Sequence, residues 1–217
     1  MDDILFQKWF RWIEIIHKEI RRNLLWNRHI FRKVREIIKN NPKMPKQNKF
    51  YEFLGDAYGT LALMGIRRQV KSKKDSISLA GLLEEIYKNP EILSRKRFVN
   101  LYKEIREDEN VASKDFDDLV GKGRSYVNPD QVCSDLDELR QKSKKIETIV
   151  DKRLAHYDKG AININNITFK EIDECIDFLE DLLKRCYYLI RAVDKKHVLP
   201  EFPSDDWMAI FREPWMP

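Results

Sequence analysis

Apolar residues recur at three- and four-residue steps through most of the chain, and each run of that period predicts a helix with one buried face. Phe6, Trp9, Ile13, Ile16, Ile20, Leu24, Phe31, Val34 and Ile38 predict a single long helix from about Asp3 to Asn40, stopped by Pro42 and Pro45. A second helix is expected from about Asn48 to near Val70, with Phe50, Leu54, Ala57, Leu61 and Met64 as its apolar set. Gly55 and Gly59 give that helix a flat strip where another helix can approach closely. Ser78 precedes a short amphipathic helix carrying Leu79, Leu82, Leu83 and Ile86, closed by Asn89-Pro90. A further helix spans about Ser94 to Arg106, and the stretch from Glu107 to Val127 reads as irregular. Asn128-Pro129-Asp130-Gln131 opens the next helix, with Asn as cap, Pro in the first turn and Gln131 placed to complete a capping box; it is expected to reach His156 or beyond and to stop by Gly160. Thr168 and Glu171 form a second capping box ahead of Ile172, Ile176, Leu179, Leu183, Cys186, Ile190 and Val193.

No alternating run predicts a strand, and no internal repeat or low-complexity linker interrupts the pattern. The expectation is an all-α fold, an up-and-down helical bundle of four to six helices in a single domain. Within residues 1–217, 1–47 form the long basic helix and its loop and 48–197 the bundle. Residues 198–217, rich in proline around Trp207, Phe211 and Trp215, form a tail that docks on the bundle.

Composition changes this picture in three places. The longest apolar run, Leu61 to Ile66, is far short of a membrane span, and the start Met1-Asp2-Asp3 lacks the basic region of a secretory signal, so a cytoplasmic protein without membrane contact is expected. Cys133, Cys175 and Cys186 share no Cys-x-x-Cys spacing, which argues against disulfides and zinc and for buried thiols. No cofactor is called for. The net charge of +5 is unevenly spread, with 13 Lys and Arg against 5 Asp and Glu in residues 1–50. Arg11, Lys18, Arg22, Arg28, Arg32, Arg35 and Lys39 are expected on one face opposite the apolar stripe, a row that can follow a phosphate backbone, although a solvated helix face gives the same pattern. Gly121-Lys122-Gly123-Arg124-Ser125 is no phosphate-binding loop, because Lys122 is not followed by Ser or Thr and the upstream glycine is missing.

Four histidines can be weighed singly. Glu14-x-x-His17 has the spacing of a di-metal helix pair, but Asp194 and His197 make a poor second half, so a helix-surface role is expected. His29 reads as surface or interface polarity. His156 lies on the flank of its helix's apolar stripe with Lys145, Lys152 and Arg153 beside it. Neighbouring cations favour the neutral imidazole, which can accept a proton, while Lys and Arg hold a phosphate diester. A half-buried polar residue at a helix end is the alternative, and Asp158 can pair with a local cation.

Asp151-Lys152-x-x-Ala155-His156-x-Asp158 resembles the closing signature of HEPN-type helical domains, in particular the bacterial branch related to abortive-infection U proteins. Gly65-Ile66-Arg67-Arg68-Gln69-Val70, Ser76-Ile77-Ser78-Leu79, Leu82-Leu83-Glu84-Glu85-Ile86, Asn89-Pro90 and the Trp207 to Trp215 segment carry the same likeness. The resemblance implies a HEPN-like bundle that dimerises and acts on RNA in phage defence or a toxin-antitoxin system, with an antitoxin or other defence protein as partner. It implies a metal-independent endoribonuclease, with His156, Arg153 and Lys152 as catalytic candidates. Arg11, Lys18, Arg22, Arg28, Arg32, Arg67, Arg68, Lys145 and Asp158 are the RNA-binding candidates. The arginine that the family places six residues before the histidine is Val150 here, on the side expected to face the core. The alternative is therefore a catalytically inactive bundle serving dimerisation or partner binding.

Overall fold

The computed structural model describes residues 2–43, 48–73, 75–106, 108–151, 167–199 and 206–211. Among them the structure is helical, with Ser94 and Tyr126 forming an isolated bridge rather than a strand. The first predicted helix is present as α1 (Asp2–Ile20), a π-helical segment (Arg21–Trp26) and α2 (Asn27–Asn40), joined end to end into one rod. A π segment widens the turn, and here both Leu24 and Leu25 face inward while the stripe of Phe6, Trp9, Ile13, Ile16, Ile20, Phe31 and Val34 stays buried. Asn27 donates to the carbonyl of Asn23 within this segment at 2.9 Å.

Helix α3 (Lys49–Val70) runs antiparallel to the rod: Tyr58 stacks on Phe31 with ring centroids 4.2 Å apart, and Gly65 lies against Leu24. A Cβ at Gly65 would sit 2.6 Å from Leu24 Cδ2, so a larger residue here would have to push the Leu24 side chain aside. The stripe expected to be core in α3 is not the one buried. Tyr58, Ala62, Ile66 and Gln69 face inward, on the side that also carries Gly55, Gly59 and Gly65, whereas Phe50 and Leu61 are exposed and Phe53 is 63% exposed. Both faces have helical period, and Gly65, where the Leu24 side chain comes close, lies on the one that is buried.

Ser78 caps α4 (Leu79–Lys88) by accepting from Gly81 N, and buried Gln69 accepts the Leu79 N–H at 3.2 Å, leaving that donor paired. Helices α5 (Arg95–Arg106) and α6 (Glu109–Val120) form a hairpin around a second apolar cluster of Phe98, Tyr102, Ala112 and Phe116. Helix α6 lies where an irregular stretch was expected. Asp108 caps it through Asn110 N and Val111 N, and its buried face is only Ala112 and Phe116 with Leu119 and Val120 at the edge, too short a stripe to announce itself. The glycine turn that follows is tied down by Arg95, which pairs with Asp117 and donates to the Arg124 carbonyl, while Asp117 accepts Gly123 N. Gly121 and Gly123 have φ of 98° and 76°, which explains the glycines without any phosphate.

Asn128 caps α7 (Pro129–Ile149), but Gln131 does not complete a capping box; it donates to Asp135 instead. The capping box of α8 (Phe169–Arg191) is formed as expected, with Glu171 N donating to Thr168 and Glu171 accepting from Thr168 N. Helix α8 runs antiparallel along the rod: Asp173 meets Arg32, Asp177 meets Arg28, and Glu14 meets both Tyr187 and Arg191. Cys175 and Cys186 are buried as expected, which pushes both thiols up to about 12, whereas Cys133 is only half-buried. Of the tail, Val198 is buried and Trp207 packs edge-on to Phe211; Trp215 lies outside the described residues.

Hydrogen bonds from Lys145 and from Thr168 hold the Glu171 carboxyl at about 2, well below its ordinary value of 4.5. A carboxylate whose folded pKa is depressed stabilises the fold fully above its unfolded pKa, and that contribution disappears as pH falls through the folded pKa. Denaturant titrations across pH 5 to 2 should therefore show the native protein losing stability more steeply than Glu171→Gln. Equal slopes would remove Glu171 from the acid response.

Candidate functional site at the end of the seventh helix

Helix α7 carries the start of the signature to the C-terminal end of α3. Val150 and Asp151 follow α7 in a π turn; Val150 is 0% exposed and part of the main core, as its apolar character predicts. Asp151, the first residue of the signature, points the other way. It accepts from Arg67 Nε at 2.6 Å and from Lys71 Nζ at 2.9 Å, and Lys71 also lies 3.4 Å from Glu147. These hydrogen bonds, Lys71 first and Arg67 next, hold the Asp151 carboxyl below the usual carboxylate range, and Asp151 in turn raises Lys71. Lys152, Arg153, His156 and Asp158 lie outside the described residues.

This latch is balanced: two cations meet two carboxylates. Lys71 and Glu147 were not singled out from the sequence, although the signal is there in Arg67-x-x-x-Lys71 and Glu147-x-x-x-Asp151, two i,i+4 pairs of opposite sign. What the sequence lacks is any mark that these two pairs face each other. An arginine in place of Val150 would bring a charge into the main core, which is costly unless a partner is supplied.

The other cations divide into two groups. Arg11, Lys18 and Arg22 share the solvent face of the rod and make no ion pair among the described residues; Arg11 donates only to the Gln7 carbonyl, in its own helix. Arg28 departs from the expected exposed row. It falls on the inner stripe between Leu24 and Phe31, where it is buried and bonded to Asp177 at 2.5 Å and near Glu180 at 3.6 Å. Arg32, at the edge of that stripe, pairs with Asp173 at 2.8 Å, and Lys145 pairs with Glu171 at 2.6 Å. Arg68 is largely exposed, 3.8 Å from Glu19. That contact sets the end of α3 against the rod at Glu19, and Lys18 and Arg22 are exposed in the same stretch of the rod.

His17 is not a surface residue. It is buried between α1 and α8 with its ring 5.2 Å from Tyr187, its Nε2 has no hydrogen-bond partner, and burial together with Lys195 and Arg21 lowers its pKa. Glu14 is engaged by Tyr187 and Arg191 rather than by His17, and no group of metal-binding side chains occurs among the described residues. No helix among the described residues is long and apolar enough to cross a membrane.

No curated protein and no solved structure matches the chain. The family profile described as AbiU2, of the HEPN group, matches residues 11–210, a range that spans most of the rod, the latch and residues 151–158. The chain therefore belongs to the AbiU2 family of HEPN-type domains.

Proposed function

We propose that this protein is a HEPN-type defence protein that binds RNA along the exposed cations of the rod and α3 and cleaves it without a metal ion at His156. Membership of an abortive-infection family gives the setting. The observation that carries the reading is the pairing of Asp151, where the signature begins, with Arg67 and Lys71 at the end of α3, beside the exposed Arg68. In this chemistry a neutral imidazole removes the proton of a ribose 2′-hydroxyl, the oxygen attacks the adjacent phosphorus, and the 5′-oxygen leaves with a proton. Lys152 and Arg153 are the phosphate contacts of this scheme in place of the family arginine. A toxin-antitoxin arrangement and a homodimer belong to the same proposal.

The test is an RNA-cleavage assay in EDTA with the native protein and His156→Ala. Activity confined to the native protein is expected, and no cleavage in either sample overturns the enzymatic reading. Binding should weaken with salt by about 0.7 log units of affinity per log unit of salt for each phosphate contacted. A flat salt response removes RNA altogether.

A second reading is favoured by Val150 in the core and by the exposed apolar stripe of Phe50, Phe53 and Leu61 on α3. It is an inactive bundle that associates with a copy of itself or with a partner protein. The same assay separates the two, since this reading requires that neither sample cleaves RNA.

A further inference from the structure

Helix α8 begins against the rod at Phe169, whose ring lies 5.0 Å from Phe31 and 5.7 Å from Tyr58, but the rod runs on to Asn40 and α3 starts at Lys49. Past the first residue of α8, the seat between α2 and the start of α3 continues as a groove of about 880 Å³. Val34 and Ile38 form one wall, Tyr51 and Leu54 the other, and Phe169 closes one end. The ten residues from Phe31 to Asn40 measure about 15 Å along a helix, enough for an incoming helix of roughly ten residues.

The rim is cationic. Its charged lining residues are Arg32, Arg35 and Lys39 against a single acid, Glu36, which pairs with Lys33. Two of these cations line the groove with no acid to pair with among the described residues: Arg35, whose guanidinium lies over the Phe31 and Phe169 rings, and Lys39. Elsewhere along the same seat α8 answers the rod's arginines with acids, Asp173 to Arg32 and Asp177 to Arg28. We propose that this groove seats an acidic amphipathic helix of a partner protein, its apolar face between α2 and α3 and its carboxylates on Arg35 and Lys39.

Two other occupants fit less well. RNA bases need open ring faces to stack on, and here Phe31 and Tyr58 stack on each other while the walls include aliphatic Val34, Ile38 and Leu54. A second copy meeting groove to groove about a two-fold axis would set Arg35 and Lys39 against their own equivalents.

The experiment titrates the full chain into a labelled helical peptide of about 12 residues with leucines at i, i+4 and i+7 and glutamates on both flanks, followed by fluorescence anisotropy. A peptide with lysines in place of the glutamates and an oligouridine of similar length run in parallel. The acidic peptide is expected to bind, the lysine peptide not to bind, and Arg35→Glu with Lys39→Glu to weaken binding about tenfold or more, from two lost charge pairs. Both positions are exposed, so the double variant should fold; circular dichroism melts of it and of the milder Ile38→Lys, which places a charge on the groove wall and should also weaken binding, check this. No binding of the acidic peptide to the native chain, equal binding to native chain and double variant, or displacement of the peptide by oligouridine each overturns the proposal. So does a shift from dimer to monomer in the double variant by sedimentation, which would assign the groove to a second copy.

Discussion

Trp9→Ala is expected to destabilise the protein by about 4 kcal/mol, the usual cost of emptying a large aromatic site. Trp9 is 0% exposed on the inner stripe of α1, and its indole N–H donates to Glu85 of α4 at 2.8 Å. The hydrogen bond is the smaller part of the loss, because Glu85 keeps Lys8 at 2.5 Å and remains partly solvated. The cavity dominates, since the site lies among α1, α4 and the core and has little freedom to collapse. For a chain of this length the melting temperature should fall by roughly 8–16 °C. Urea titrations should show a lower midpoint at unchanged slope, with Trp9→Phe losing much less. A loss below about 1 kcal/mol would mean that Trp9 is not a core residue.

Arg28→Ala is expected to cost about 2 kcal/mol without a selective effect on RNA. Breaking a buried ion pair costs about 3–5 kcal/mol, but Asp177 is 60% exposed on its side chain and Glu180 keeps Lys184 at 3.1 Å, so solvent and a second cation take up part of the loss. The aliphatic stem of Arg28 packs beside Leu24 and Phe31 and adds to the cost. Arg22→Ala makes the contrast: stability within about 0.5 kcal/mol of the native protein, and an RNA salt slope smaller by about 0.7 if Arg22 contacts one phosphate. An Arg28→Ala protein that is fully stable but deficient in RNA binding would return Arg28 to the outer row.

These two substitutions mark where the sequence could and could not be read. Trp9 was legible because a stripe with one apolar residue per turn has only one face to bury, and the same holds for α4 and α8. Arg28 was misread because a charge was assumed to point outward, although its position repeats the inner stripe from Leu24 to Phe31; periodicity outranks residue type when α8 can supply Asp177 and Glu180. In α3 both faces have helical period, and the buried one is the one against which Leu24 packs at Gly65, a tertiary effect that hydropathy alone does not weigh. Helix α6 escaped notice because it rests on Asp108 and a buried face of two residues. The HEPN signature was legible as a motif, and the placement of Val150 in the core followed from its position in the α7 stripe. The Arg67–Asp151–Lys71 latch joins residues about 80 positions apart, and pairing across that distance is fixed by packing.

The antiparallel seating of α8 on the rod has a consequence for how the chain is made. The rod occupies positions 2–40, and its long partner begins at Phe169, so the side of the rod that α8 covers waits more than a hundred residues of synthesis for that cover. At ordinary elongation rates that delay is roughly ten seconds, and closing so wide a loop is entropically slow. Newly made chains must spend this interval sheltered by chaperones or by early packing of α3 and α4. A message cut short before α8 would therefore yield a sticky fragment rather than a smaller working version of the protein.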